Sequence, residues 1–320
     1  MAEYNTHDRL TFYCQALIAT GEEDETGHPL VGRAMPDAAA LRAAMQGLSH
    51  AMLTFWPDVI ILVSAFFVSP GELQLMRMRG FPVVIIHTES PYQDDEQLIR
   101  AVFADINILN DPLNIARYEE LDGTAAYLPH CYRPGIHYPR RGPVVPELSS
   151  DLCFIGTAFA SRIRFFEQMD LDGIDVLLGG QCWGDTAEDS KLRGYLGHAV
   201  DQCVDNHVAA SHYRHARAGI NFYRRESEEA HKGEGWAMGP REIEMAACQL
   251  PFVRDPRPES DEIFHMLPSF DGPEDASEKI RWLLSHERER EKMAAAAREA
   301  IADRTFANSA KRLLTMLEDL

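Results

Sequence analysis

The residues of this chain with the most chemical content lie between Gly233 and Asp255, in the run GEGWAMGPREIEMAACQLPFVRD. The order is glycine loop, abrupt helix start, short amphipathic helix, buried strand. Pro240 suits a first helical position, where its missing N–H has no partner to lose. Gly239 before it lets the backbone approach a ligand closely. The free N–H groups of a first turn, with the helix dipole, attract phosphate. Arg241 and Glu244 are three apart and share a helix face, while Ile243, Ala246, Ala247 and Leu250 fit the opposite, buried side. A cation beside a phosphate site, with a carboxylate one turn further, suits a nucleoside diphosphate: phosphate first, ribose hydroxyls next. The alternative is an ordinary core helix on which Arg241 and Glu244 form a solvated ion pair.

The elements that must position these residues alternate strand and helix, which predicts α/β architecture with parallel sheets. In the first half, strands are expected at 59–64, 83–87, 107–109 and 125–128, with helices at 37–54, 70–78 and 94–104. Residues 137–148, HYPRRGPVVPEL, are proline-rich and aperiodic, and form the best linker. The pattern then restarts. Strands are expected at 152–155, 175–178, 219–222 and 252–253, with helices from Ser161, at 206–215 and at 241–248. Residues 274–320 are nearly all helical, broken near 302–307. A complete nucleotide-type half opens with strand, glycine turn and helix. Here that first unit is absent or replaced.

The chain has 320 residues, 45% of them apolar and 25% charged, enough for two cores. No apolar run reaches the roughly eighteen residues of a membrane span, and Val59–Val68 reads as a buried strand with its exit. The opening MAEYNTHDRL lacks the basic and apolar regions of a secretory signal. The six cysteines are widely spaced with no C-x-x-C. That argues against a zinc cluster and fits a reducing cytoplasm. Cys153 and Cys248 lie in apolar runs and read as core residues. The net charge of −19 argues against binding a nucleic-acid backbone, which depends on Lys and Arg. It favours a protein or small-molecule partner.

Several segments together resemble the CgeB-like (spore maturation protein) glycosyltransferases, including actinobacterial and phage versions. The helix motif of GT-B glycosyltransferases is matched by Glu244-Met-Ala-Ala-Cys-Gln-Leu-Pro251. Further matches are Tyr127-Leu-Pro-His130 with Pro134 and His137, Asp151-Leu-Cys-Phe-Ile-Gly-Thr157 with Arg162, Ala218-Gly-Ile-Asn-Phe-Tyr223, and Ala302-Asp-Arg-Thr-Phe-Ala-Asn308. The resemblance covers most of the chain from about Asp58. It implies a GT-B fold: two Rossmann-like domains facing a cleft, an acceptor-side domain at 1–143, a nucleotide-sugar domain at 144–306, and a helix at 307–320 packing back on the first. Many retaining members carry two glutamates seven residues apart, with a glycine three after the first. Gly239 and Glu244 fit the later positions, and Trp236 stands at the first.

The resemblance implies metal-independent transfer of a sugar from a nucleotide sugar, with no cofactor, in the cytoplasm (the host's, if phage-encoded). Basic side chains and helix termini then neutralise the leaving diphosphate. Gly156 and Thr157, after a strand and before a helix, offer backbone donors, with Arg162 following. Lys232 on its glycine loop, next to His231, is a point charge within reach of a diphosphate. Asn221 and Tyr223 stand at a strand's carboxyl end, where α/β ligands bind. With Trp236, Gly239, Pro240, Arg241 and Glu244, these are the expected donor-binding residues. His87 and Glu89 follow a strand on the acceptor side, and one could act as general base in an inverting mechanism. His130 completes the expected catalytic set. Bland readings stand beside each: Arg162 as a cap, Lys232 as solvated loop, Tyr223 as half-buried core, His87 and Glu89 as local hydrogen-bonding groups. Rival functions are a nucleotide-sugar epimerase or hydrolase on the same fold, a non-catalytic nucleotide-sugar-binding module, and a transferase acting on modified DNA. Asp170-Leu-Asp172 reads as a turn before a strand, and the 287–291 run ERERE as a solvated helix face. His212 and His215 share a helix face with no third metal ligand in view.

Overall fold

Alternating strands and helices build two four-stranded sheets in the computed structural model, which describes residues 1–18, 37–121, 123–197, 202–226 and 235–318. The chain divides into two compact units. The first comprises residues 1–89, 93–109 and 115–126, and the second residues 90–92, 110–114 and 127–320.

In the first unit, α1 (Thr6–Ile18) and α2 (Asp37–Phe55) precede β1 (Ile60–Val63), α3 (Pro70–Met78), β2 (Val83–His87), α4 (Asp94–Ala101), β3 (Ile106–Leu109), α5 (Ile115–Glu119) and β4 (Thr124–Tyr127). The sheet order is β1-β2-β3-β4, with β1, β2 and β3 parallel. Among the described residues no strand precedes β1, which stands at the sheet edge and alternates half-buried and exposed side chains. The central strand β2 is nearly all buried, as a parallel strand covered on both faces must be. Ala44, Leu48 and Met52 of α2 and Leu73 and Met76 of α3 pack with Val83 and Ile85 in one cluster. Ser69 starts α3 by accepting the Glu72 N–H, with Pro70 at the first helical position.

The second unit contains β5 (Ser150–Ile155), α6 (Ala160–Gln168), β6 (Val176–Gly179), α7 (Asn206–His215), β7 (Ala216–Asn221), α8 (Pro240–Ala247), β8 (Phe252–Arg254), α9 (Pro258–Ile263), α10 (Pro273–Ser285), α11 (Glu287–Ala300) and α12 (Phe306–Leu317). Its order is β6-β5-β7-β8, all parallel. Alternation along β5 feeds two cores. Leu152 and Phe154 join Phe165 and Phe166 of α6 and Ile280 and Leu283 of α10. Cys153 and Ile155 join Tyr213 of α7, Ile243 and Ala246 of α8, and Ala297 of α11. The chain leaves β5 toward β6 and returns to β7 on the other side, so a topological switch point lies between the carboxyl ends of β5 and β7.

All eight expected strands form, within a few residues of their expected ends. The units part after Ala126, earlier than the expected 143/144 boundary. The reason is packing: Tyr132 and Ile136 belong to a core cluster of the second unit. Tyr132 also donates its N–H to Arg304 O at 2.9 Å and bridges to Thr305. The C-terminal helical region breaks at His286 as well as before α12, because His286 leaves helical geometry (φ −117°, ψ 70°). The run ERERE that follows is a solvated face at four of its five positions, with Arg290 the exception. Arg290 is buried and donates to the carbonyls of Leu283 and Leu284, at 3.0 and 3.3 Å, which end α10.

Candidate functional site

Two arginines converge on the loop that leaves β5. Arg241, at the start of α8, donates Nε to the carbonyl of Ile155, and its guanidinium lies along Gly156. A Cβ at Gly156 would stand 3.0 Å from Arg241 Cζ, so the missing side chain is what admits the arginine. Arg162, from the first turn of α6, donates Nη1 to Thr157 O at 2.9 Å. Its Nε and Nη2 donate to Phe222 O at 3.0 and 2.8 Å, across the switch point to the end of β7. Among the described residues neither arginine forms an ion pair. Burial, and then the charge of Arg241, push Arg162 down to about 9. Two cations are thus held together by carbonyls at the switch point, in a chain of net charge −19.

Gly156 is fixed from three sides. Its N–H donates to Gly179 O at 2.8 Å, its carbonyl accepts Trp183 Nε1–H at 3.1 Å, and Gly180 (φ +126°) passes directly over it. At the N-terminus of α6, the Glu226 carboxylate accepts Ser161 N–H at 2.7 Å and Ser161 Oγ–H at 2.9 Å.

Glu244 lies one turn beyond Arg241 on α8, half-buried, with no ion pair to it among the described residues. Burial raises its pKa to about 7 against the opposing pull of Arg241. Asn221 is buried at the end of β7, and its Nδ2 has no hydrogen-bond partner. Thus Gly156, Thr157, Arg162, Asn221, Arg241 and Glu244 are all carried by the elements that bound the switch point.

Other expected donor residues are engaged differently. Tyr223 is buried, with its hydroxyl on the Glu242 carboxylate and its ring 4.0 Å from the Arg257 guanidinium. The N–H groups of 236–239 point at carboxylates. Trp236 and Ala237 donate to Asp111 at 2.8 and 2.9 Å, Met238 to Glu259 at 2.8 Å, and Gly239 to Glu242 at 3.0 Å. Pro240 has no N–H, and Glu242 N–H donates to Gly239 O at 3.2 Å, so the amides leading into α8 are largely engaged within the chain, and the Arg241 side chain supplies the positive charge there. Trp236 meets Tyr127 edge-on, ring centroids 6.0 Å apart. Lys232, with His231, lies outside the described residues.

Of the expected catalytic residues, His87 has no exposed surface, and its Nε2 is 2.8 Å from Asn107 Oδ1. Its ring packs against Tyr118 at 5.1 Å. It is enclosed within the first unit, on a strand that is nearly all buried. Glu89 is half-buried just beyond β2, and its N–H donates to Gln97 at 3.0 Å. His130 Nε2 is 3.4 Å from Asn110 Nδ2. Burial, then Arg304 and Arg257, lower its pKa to about 4 and keep it neutral at pH 7.

Spacing alone missed Glu242, which is fully buried. It accepts from Tyr223, Gly239 and, at 2.7 Å, Ser260, and burial raises its pKa to about 7. A glutamate three residues after a helix cap was the available signal. A cavity of about 580 Å³ lies at the opposite, amino ends of β5 and β7. Its arginines Arg140, Arg214, Arg217 and Arg290 face Asp151, Asp175, Glu287 and Glu291, so it offers no net charge to a diphosphate.

Residues 162–315 match the model of a family described as glycosyl transferase-like. Among solved structures, the chain is similar to sucrose-phosphate synthase from Thermosynechococcus elongatus. The identity is 13% and the TM-score 0.59, over 88% of this chain and 78% of that one. An Anabaena protein, HepE in complex with UDP-glucose, matches at 10% identity and TM-score 0.59, over 88% and 82%. A protein from Listeria monocytogenes, provisionally assigned as a UDP-N-acetylglucosamine 2-epimerase, matches at 14% and 0.57, over 88% and 79%. No curated protein sequence matches the chain. The fold is GT-B, with a parallel sheet in the second unit and parallel pairing across β1, β2 and β3 of the first.

Proposed function

We propose that this chain, an enzyme with a glycosyltransferase-type domain, moves a sugar from a nucleoside diphosphate donor to an acceptor hydroxyl. Within that class we place it with the CgeB-like enzymes, on the order of its motifs from Tyr127 to Asn308. The observation that carries the reading is the pair Arg162 and Arg241 at the switch point, with Glu244 one turn beyond. The arginines meet the diphosphate and stabilise the charge that grows on it as the glycosidic bond breaks. Glu244, ionised, accepts hydrogen bonds from the ribose hydroxyls. Asn221 adds a buried donor. His130, neutral at pH 7, is the remaining candidate for the acceptor's proton, as a weak base. In this reading arginines do the work of a divalent metal, so chelation with EDTA leaves nucleotide affinity unchanged. The net charge of −19 favours a protein or small-molecule acceptor over DNA, and the widely spaced cysteines suit the cytoplasm.

Calorimetric titration with uridine and UDP, with GDP and TDP in parallel, tests the site. Glu244→Ala should weaken both nucleoside and diphosphate by about one to two decades, the equivalent of roughly 1.5–3 kcal/mol in charge-assisted bonds. Arg241→Ala should weaken the diphosphate and spare the nucleoside. Wild-type affinities in both variants would end the assignment. An epimerase on the same fold, the reading suggested by the Listeria neighbour, would convert free donor without an acceptor, and product analysis separates the two.

A further inference from the structure

His137 lies on the segment between β4 and β5, in the second unit, with 3% of its side chain exposed. Its backbone N–H donates to Arg133 O at 2.8 Å, and its Nδ1 accepts the Arg133 N–H at 3.4 Å. An accepting Nδ1 assigns the ring proton to Nε2. That Nε2 is enclosed and has no hydrogen-bond partner. It stands 4.0 Å from Glu244 Oε1.

The groups around the two side chains define the pair. Glu244 faces Arg241 from its own helix, and its charge is felt by Tyr213 of α7. His137 faces Arg214 and His207 of α7, and both oppose a second ring proton. Burial together with Arg214 lowers His137 to about 4. At neutral pH the ring is therefore an uncharged N–H donor directed at a carboxylate. A glutamate with no fixed donor samples several rotamers, whereas one facing a rigid N–H prefers the orientation that meets it. A shift of about 1 Å brings Oε1 from 4.0 Å into hydrogen-bond range.

We propose that His137 is a positioning residue: its Nε2–H orients the Glu244 carboxylate, leaving the second oxygen to receive the ribose hydroxyls. This rests on the reading of Glu244 as the ribose-binding group. It gives a buried histidine, 107 positions before its partner, a part in nucleotide affinity without contact to the nucleotide.

The test compares UDP and inorganic pyrophosphate by calorimetry across pH 5.5–8.5. His137→Ala should weaken UDP about two- to tenfold, the span of one ordinary hydrogen bond, and leave pyrophosphate unchanged. The midpoint of the pH dependence of UDP affinity should move upward, because the ionised carboxylate has lost a donor. His137→Gln, which keeps an N–H near the same place, should restore affinity and midpoint. In a Glu244→Ala background, His137→Ala should add nothing. His137→Phe fills the space without the N–H and serves if the alanine variant does not fold. Unchanged UDP affinity in both His137→Ala and His137→Phe, or an equal loss for UDP and pyrophosphate, overturns the proposal. If Glu244→Ala itself keeps wild-type UDP affinity, the donor-site reading fails instead.

Discussion

Gly156→Ala is a small change whose consequence follows from three distances. The new methyl carbon would lie 3.0 Å from Cζ and Nε of Arg241 and 3.1 Å from Nη2. Comfortable contact begins near about 3.5 Å, so one partner must give by about half an ångström. The backbone at 156 cannot, because Gly179 and Trp183 hold both its polar groups. The Arg241 side chain can. It would give up its bond to Ile155 O and withdraw the guanidinium from the proposed diphosphate site. Complete loss of an arginine–phosphate bond, about 1.5–3 kcal/mol, would mean roughly 10- to 150-fold weaker binding. Displacement without deletion should fall in the lower half, about 10- to 40-fold for UDP, with uridine unaffected. Folding should lose only the arginine–carbonyl bond, about 1 kcal/mol, or roughly 2–4 °C in Tm for a unit of this size. Calorimetry and thermal melting on the same preparation read both quantities. In an Arg241→Ala background the glycine substitution should have no further effect on affinity. Wild-type UDP affinity in Gly156→Ala, or full additivity with Arg241→Ala, would refute the reasoning.

Gly180→Ala should behave oppositely: its φ of +126° and the overlap of a new Cβ with the Gly156 carbonyl set backbone against backbone. A loss of about 3 kcal/mol or more in stability is expected, measurable by urea denaturation. Glu242→Ala strands the donors of Tyr223, Gly239 and Ser260, each costing about 1–3 kcal/mol, and should lower the urea midpoint sharply. Glu242→Gln keeps the shape and isolates the titration. The folded pKa of Glu242 is raised from 4.5 to about 7, so its stability contribution is complete below 4.5 and declines as pH rises through about 7. The Gln variant should therefore gain on the wild type between pH 5 and pH 8, and a constant difference across that window would contradict the burial argument.

The sheet strands were legible because parallel strands buried on both faces read as short apolar runs, such as VVIIH at 83–87 and DLCFI at 151–155. The amphipathic helix at 240–247 and its outward Arg241 and Glu244 were legible for the same periodic reason. The partners that organise the site were not. Asp111 holds Trp236 from 125 positions away, and Tyr127 reaches Glu259 across 132. No local spacing encodes such pairs. Carboxylates in the interior also defeat the expectation that charge marks surface, as Glu242, Glu259 and Asp111 all show. His87 shows the complementary case: its strand-end position was legible, but its enclosure beside Asn107 was not, because a side chain on a doubly covered strand can turn inward.

The loop 236–239 has no regular secondary structure, yet each of its amides is bonded to a carboxylate contributed by Asp111, Glu259 or Glu242. Those three groups lie on the segment between β3 and α5, on α9, and within the helix the loop introduces. The loop's conformational entropy is thus surrendered during folding, when the core forms, and not at the moment a ligand arrives. Binding beside it carries no ordering penalty for these residues, and affinity there reports the contacts themselves. Amide exchange at the four positions should be as slow as in the sheet, making this coil one of the rigid parts of the molecule.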